Sequence, residues 1–214
     1  MAHGPNYKVV FRRRREGKTD YRKRLRLLSS GLPRLVVRRS NKYIYAQIIS
    51  SNEAKDDVIA QACSRELIKL GYPTGLTSAP ASYLTGMLIA LRALKKGVKE
   101  AIIDIGLLPH VPKSNVYALL KGCLDMGLEI PHSDEVIPSE ERIQGAHIAA
   151  YAKKLKQESP EKYSRLFSKY ISSNVEPERL EQLFEEIKNK IKSMGEKKCL
   201  NRTLIPKSGY QEQN

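Results

Sequence analysis

The 214-residue sequence predicts a mixed α/β fold, with helices packed on a sheet, a basic arm in front and further helices behind. Three observations carry that expectation. Short β-branched and aromatic segments follow one another at 34–39 (RLVVRR), 43–50 (YIYAQIIS) and 58–64 (VIAQACS), the pattern of an antiparallel meander. The apolar period then lengthens to that of a helix, contracts to the run AIIDI at 101–105, and lengthens again. Finally, charge is distributed very unevenly. Residues 1–42 hold fourteen Lys or Arg against two acids, Glu16 and Asp20, so twelve of the fifteen net positive charges lie in the first fifth of the chain.

Taken in order, residues 1–18 read as an extended arm, polar and basic, punctuated by Gly4, Pro5 and Gly17. From Thr19 the run TDYRKRLRLLSSG predicts a short helix. Thr19 or Asp20 caps it, Leu25 and Leu28 mark an apolar side, and Gly31 ends it. The three strands follow, separated by a Ser-Asn-Lys turn and an acidic loop at 52–57. A helix is expected over 79–96, with Gly97 as its stop, and another over 114–126, followed by Gly127. The run at 101–105 between them reads as a central parallel strand with both faces covered. The order βββαβα predicts a mixed sheet whose parallel join is a right-handed crossover.

The last third reads as helical. Ser139 starts one helix, with Glu140 and Glu141 in its first turn and Lys153, Lys154 and Lys156 in its last. Pro160 starts a second, with the stripe Tyr163, Leu166, Phe167 and Tyr170; Pro177 starts a third, with Leu180, Leu183, Phe184, Ile187 and Ile191 aligned. These two are expected to form a hairpin that leaves part of one stripe for a partner or for the core. The expected division is 1–32, basic arm and helix; 33–157, α/β core; 158–196, C-terminal helical extension; 197–214, a flexible tail.

Self-repulsion on this scale is uphill unless a polyanion neutralises it. Nucleic acid is the expected partner, because each phosphate neutralised releases a condensed counterion. A membrane is not expected: the most apolar run, 83–94, is too short to span one and is broken by Arg92. Cys63, Cys123 and Cys199 stand singly, without the spacing of a zinc ribbon or a disulfide framework. Gly17-Lys18-Thr19 resembles the end of a phosphate loop, but Arg12 stands where the motif needs glycine and no strand precedes it. The four histidines are dispersed. No catalytic, cofactor or metal site is expected. The alternative is a metal-dependent nucleic-acid-processing enzyme on the same sheet, using Asp104, Asp125 and Glu66 as carboxylate ligands. Against it, Asp104 reads equally well as a buried carboxylate bonded to loop amides. The cations, by contrast, are interleaved with Tyr7, Phe11 and Tyr21, rings able to stack on bases while the cations hold phosphates.

Four stretches, HGPNYKVVFRRRREGKTDYRKRL, RLVVRRSNKYIYAQII, AIIDIGL and IPHSDEVIPSEERIQGAHIAAYA, together resemble the L eighteen family of large-subunit ribosomal proteins in its archaeal form. The resemblance covers roughly residues 3–157. It implies a structural protein, without enzymatic activity, that binds 5S rRNA and helps anchor it in the central protuberance. Large-subunit rRNA and neighbouring ribosomal proteins are its implied further partners, the cytoplasm its setting, and a ribonuclease-H-like topology its core. By position, the resemblance implies RNA contacts at Phe11, Arg12, Arg13, Arg14, Arg15, Lys18, Tyr21, Arg22, Lys23, Arg24 and Arg26. It implies more on the hairpin, at Arg38, Arg39, Ser40, Asn41 and Lys42, and at the loop residues Lys113, Ser114 and Asn115.

Overall fold

The computed structural model describes residues 4–52 and 55–200, with side chains up to residue 195 at the C-terminal end. Two basic helices come first: α1 (Arg12–Arg15), a single turn, and α2 (Tyr21–Leu28). Asp20 caps α2, its carboxylate accepting from the backbone amides of Arg22 and Lys23 at 2.9 and 3.2 Å. Neither helix contains a buried residue.

Four strands form one mixed sheet, β1 (Arg34–Arg39), β2 (Ile44–Asn52), β3 (Lys55–Cys63) and β4 (Ile102–Asp104), in the order β3-β2-β1-β4. The first three are an antiparallel meander, and β4 lies parallel to β1. Alternation decides which side is buried. Leu35, Val37, Ile44, Ala46 and Ile48 line the inner face, while Val36, Arg38, Tyr45 and Gln47 point the other way. The run at 101–105 departs from the central strand expected of it. It contributes a three-residue edge strand, preceded by an isolated bridge at Glu100–Glu129, and Ile102 and Ile103 are half-buried. An apolar run reports that its faces are covered, not its place in the sheet.

The crossover from β3 to β4 runs through α3 (Ala79–Lys95), which packs with α4 (Asn115–Asp125) on the inner face. Gly86 and Gly122 let these two backbones touch. A Cβ on Gly86 would overlap the Leu119 carbonyl, and one on Gly122 would overlap that of Tyr83. Cys123 is buried at the same contact and donates its thiol to the Gly86 carbonyl at 3.4 Å.

The single helix expected after Ser139 is two, α5 (Glu140–Gln144) and α6 (Ala146–Glu158), divided at Gly145. That glycine adopts φ +89°, and a side chain there would press on Leu180 and Pro80. The helix expected after Pro160 is also divided, into α7 (Pro160–Leu166) and α8 (Ser168–Ser172). After a 3-10 turn at Pro177–Arg179, α9 (Leu180–Leu200) runs beyond the start of the expected tail, the rest of which, 201–214, lies outside the described residues.

The two C-terminal stripes do not close on each other. Tyr163 and Phe167 pack with Ala152 and Leu155 of α6, whereas Leu180, Phe184, Ile187 and Ile191 of α9 join the main core beside α3. Phe184 is 1% exposed, with its ring 5.4 Å from that of Tyr83. No helix among the described residues is long and apolar enough to cross a membrane.

Candidate nucleic-acid interface

Helix α2 lies over the outer face of the sheet and encloses with it a cleft of about 450 Å³. Leu27, Val36, Gln47 and Ile49 line it together with the cations Arg13, Lys18, Lys23, Arg24, Arg34 and Arg38. Helix α2 is held there by polar contacts. Lys23 Nζ donates to the Gly106 carbonyl at 3.0 Å, and Arg24 pairs with Asp56 at 2.8 Å. Leu25, expected on an apolar side, is 70% exposed. The helix approaches the sheet through Lys23, Arg24 and Leu27, and this turns Leu25 outward.

Beneath the cleft lies a buried ion network. Arg34 is 3% exposed and reaches Asp104 at 2.9 Å and Asp56 at 3.1 Å. Asp104 also accepts from the Gly106 amide at 2.8 Å. Burial opposes ionisation of Asp56, but hydrogen bonds from Ser51 and Arg24, with the charges of Arg24 and Arg34, hold its pKa below the usual carboxylate value. This network answers the question left open at Asp104: the carboxylate is a structural partner of Arg34 and of a loop amide.

The other two carboxylates of the enzyme reading are engaged elsewhere. Asp125 accepts from the Tyr83 hydroxyl at 2.6 Å and pairs with Lys121 at 3.1 Å. Glu66 pairs with Arg92 and accepts from the Cys63 amide. The Arg92 hydrogen bond is the main reason its pKa is lowered, outweighing the opposing effect of burial. Among the described residues no group of three or more His, Cys, Asp or Glu side chains is placed to hold a metal ion.

The contact residues implied by sequence fall into two sets. In the first, the side chain is already engaged. Arg12 and Lys18 pair with Glu16 at 3.0 and 2.8 Å, and Arg13 donates to the Thr19 hydroxyl at 2.9 Å. Lys23 and Arg24 are held as described. Arg38 donates to the Val37 and Asp104 carbonyls at 2.8 and 3.0 Å, with its guanidinium against Gly106, where φ is +62° and a Cβ would collide with it. Ser40 closes the hairpin turn, its hydroxyl bonded to both the amide and the carbonyl of Tyr43 at 2.9 Å. Asn115 donates its amide to the Thr77 carbonyl at 2.6 Å; Ser114 before it is the N-cap position of α4 by its backbone alone, without a side-chain cap hydrogen bond.

The second set points outward. Among the described residues, Arg14, Arg15, Arg22, Arg26, Arg39 and Lys42 have no side-chain hydrogen bond or ion pair, and all six are exposed. Asn41 shares the exposed hairpin turn with Lys42, and Lys113 stands exposed with φ +59°. Phe11 and Tyr21 pack ring against ring, centroids 4.9 Å apart, with Phe11 largely open to solvent. The structure thus joins arm, α2, the C-terminal end of β1 and the loop at Gly106 into one basic surface. Sequence reasoning missed Arg34 as its internal support, since nothing in a run of cations marks which one is buried.

Comparisons with known proteins identify the family of the chain. Residues 5–101 match the family described as "Ribosomal large subunit proteins 60S L5, and 50S L18". The chain is 52% identical to the large ribosomal subunit protein uL18 of Caldivirga maquilingensis, over 89% of this chain and 93% of the relative. It is 51% identical to that of Korarchaeum cryptofilum, over 91% and 98%, and 53% identical to that of Staphylothermus marinus, over 89% and 95%. These relatives are archaeal structural proteins of the ribosome rather than enzymes. With most of its length matched at this identity, the chain belongs to the uL18 family of large ribosomal subunit proteins.

Proposed function

We propose that this chain is a structural constituent of the large ribosomal subunit that binds 5S rRNA and helps anchor it in the central protuberance. Large-subunit rRNA and neighbouring ribosomal proteins are its other partners, and the cytoplasm is its setting. The observation that carries this reading is the second set above: six exposed cations, without intramolecular partners among the described residues, on a surface that buries none of α1 or α2.

The two sets do different work. The engaged side chains fix the backbone of α1, α2 and the hairpin before RNA arrives, so less ordering entropy is lost on binding. The outward cations neutralise phosphates, and the paired rings of Phe11 and Tyr21 offer a face to unpaired bases. Lys113 extends the surface through the loop ahead of α4. The arm and α2 form the RNA-binding unit, and the sheet of order β3-β2-β1-β4, read as ribonuclease-H-like, is its platform. Helices α7 to α9 serve the fold.

The test is a footprint of the purified protein on 5S rRNA, read together with the salt dependence of binding. A discrete protected region and a steep linear fall of log K with log salt are expected. Uniform weak protection, equal on an unrelated RNA of the same length, would contradict the reading.

A further inference from the structure

The outer face of the sheet is only partly covered. Along β2 the outward side chains are Tyr45, Gln47 and Ile49; the last two lie in the cleft beneath α2, but Tyr45 lies beyond it and is 43% exposed. Its backbone is paired on both sides, with Arg38 of β1 and Cys63 of β3, so the ring stands on an interior strand. The Arg38 guanidinium leaves toward Asp104 and Gly106, on the side of β1 away from β2. Among the described residues the Tyr45 side chain makes no hydrogen bond and no ring contact.

The chain on the β1 side is basic. No acid occurs in residues 21–52, a stretch with eight Lys or Arg. Arg38, the partner of Tyr45 on the neighbouring strand, shares its face, and Lys42 stands exposed at the turn that leads into β2; Arg39, opposite Ile44, alternates to the other face. An exposed ring on a rigid strand, beside a basic turn, is the arrangement by which β-sheets stack unpaired bases.

We propose that Tyr45 is a base-stacking site of the RNA interface, taking one unpaired base of the bound RNA while Lys42 holds a flanking phosphate. This rests on the 5S rRNA reading above and extends the interface from the arm onto the sheet.

The chain has no native tryptophan, so the full-length Tyr45→Trp variant carries a single indole reporter at this position. Titrated with 5S rRNA, its emission should be quenched in step with complex formation. Tyr45→Ala should weaken binding roughly 5- to 150-fold with an unchanged salt slope, and Tyr45→Phe should retain most of the affinity. Emission that stays constant while the RNA saturates the variant would overturn the proposal and leave the ring to a protein neighbour. So would a Tyr45→Ala chain that binds like the parent. Failure of the parent chain to bind 5S rRNA would instead refute the proposed function itself.

Discussion

Helices α2 and α9 are both amphipathic in sequence and lie at opposite ends of the chain, yet they attach in opposite ways. Helix α9 is held by apolar burial, with Leu180, Phe184, Ile187 and Ile191 at no more than 1% exposure. Helix α2 buries no residue and is held by Lys23 on a carbonyl, Arg24 on Asp56, and Leu27 over the cleft. The contrast separates fold from function. A helix that buries its stripe is part of the core wherever it falls in the sequence. One that keeps Arg22, Leu25 and Arg26 in solvent is positioned for something outside the chain.

The largest effect should come from removing α9. Truncation after Gln157 takes four fully buried side chains from the main core, and even Phe184→Ala alone should cost about 3–5 kcal/mol. Thermal unfolding of the full-length Phe184→Ala protein checks this. A melting curve matching the parent would return α9 to the role of a detachable extension.

Next comes the support beneath α2. Asp104→Ala leaves Arg34 buried beside a lost partner, so a penalty of about 3–5 kcal/mol is expected in chemical denaturation. The outer Arg24–Asp56 pair should matter far less, with Arg24→Ala costing under about 1 kcal/mol. Equal penalties for the two would mean that α2 is bound to the sheet more tightly than its polar contacts imply.

The acid limb of the stability profile sharpens the same distinction. Asp56 and Glu66 have folded pKa values below their ordinary ones of 3.8 and 4.5. Each therefore contributes stability that is complete above its ordinary pKa and is lost as pH falls through the lowered folded value. Denaturation midpoints measured from neutral pH downward should hold until about pH 4–5 and then decline. Asp56→Asn should flatten part of that decline. The smallest effect on global unfolding is at the cap: Asp20→Ala should cost about 1 kcal/mol of local α2 stability and leave the global transition nearly unchanged.

The sequence made the meander legible because alternation and β-branching are local signals; β1 begins and ends where the RLVVRR run does. Helices α3 and α4, and the concentration of charge, were legible for the same reason. What required three dimensions was coverage. Leu25 reads as apolar and faces solvent, whereas Arg34 reads as one more surface cation and lies buried against Asp104. The α9 stripe was plain, but its docking surface on α3 was not. Gly86 and Gly122 carried no signal at all, since a helical glycine reveals its purpose only when another backbone touches it. Within the implied RNA site, spacing could not separate Arg38, Ser40 and Asn115, whose side chains hold the fold, from Arg39 and Lys42, whose side chains do not.

The central claim is that the outward cations of this surface, and not the engaged ones, carry the electrostatic affinity for RNA. It is tested most directly by replacing Arg14, Arg15, Arg22, Arg26, Arg39 and Lys42 together with Gln, in the full chain. The measurement is log K for 5S rRNA against log salt, beside the thermal unfolding curve. The account predicts an unchanged melting temperature and a slope shallower by about four to five units, one counterion-release term for each lost phosphate contact. An unchanged slope in a protein that still folds would contradict it.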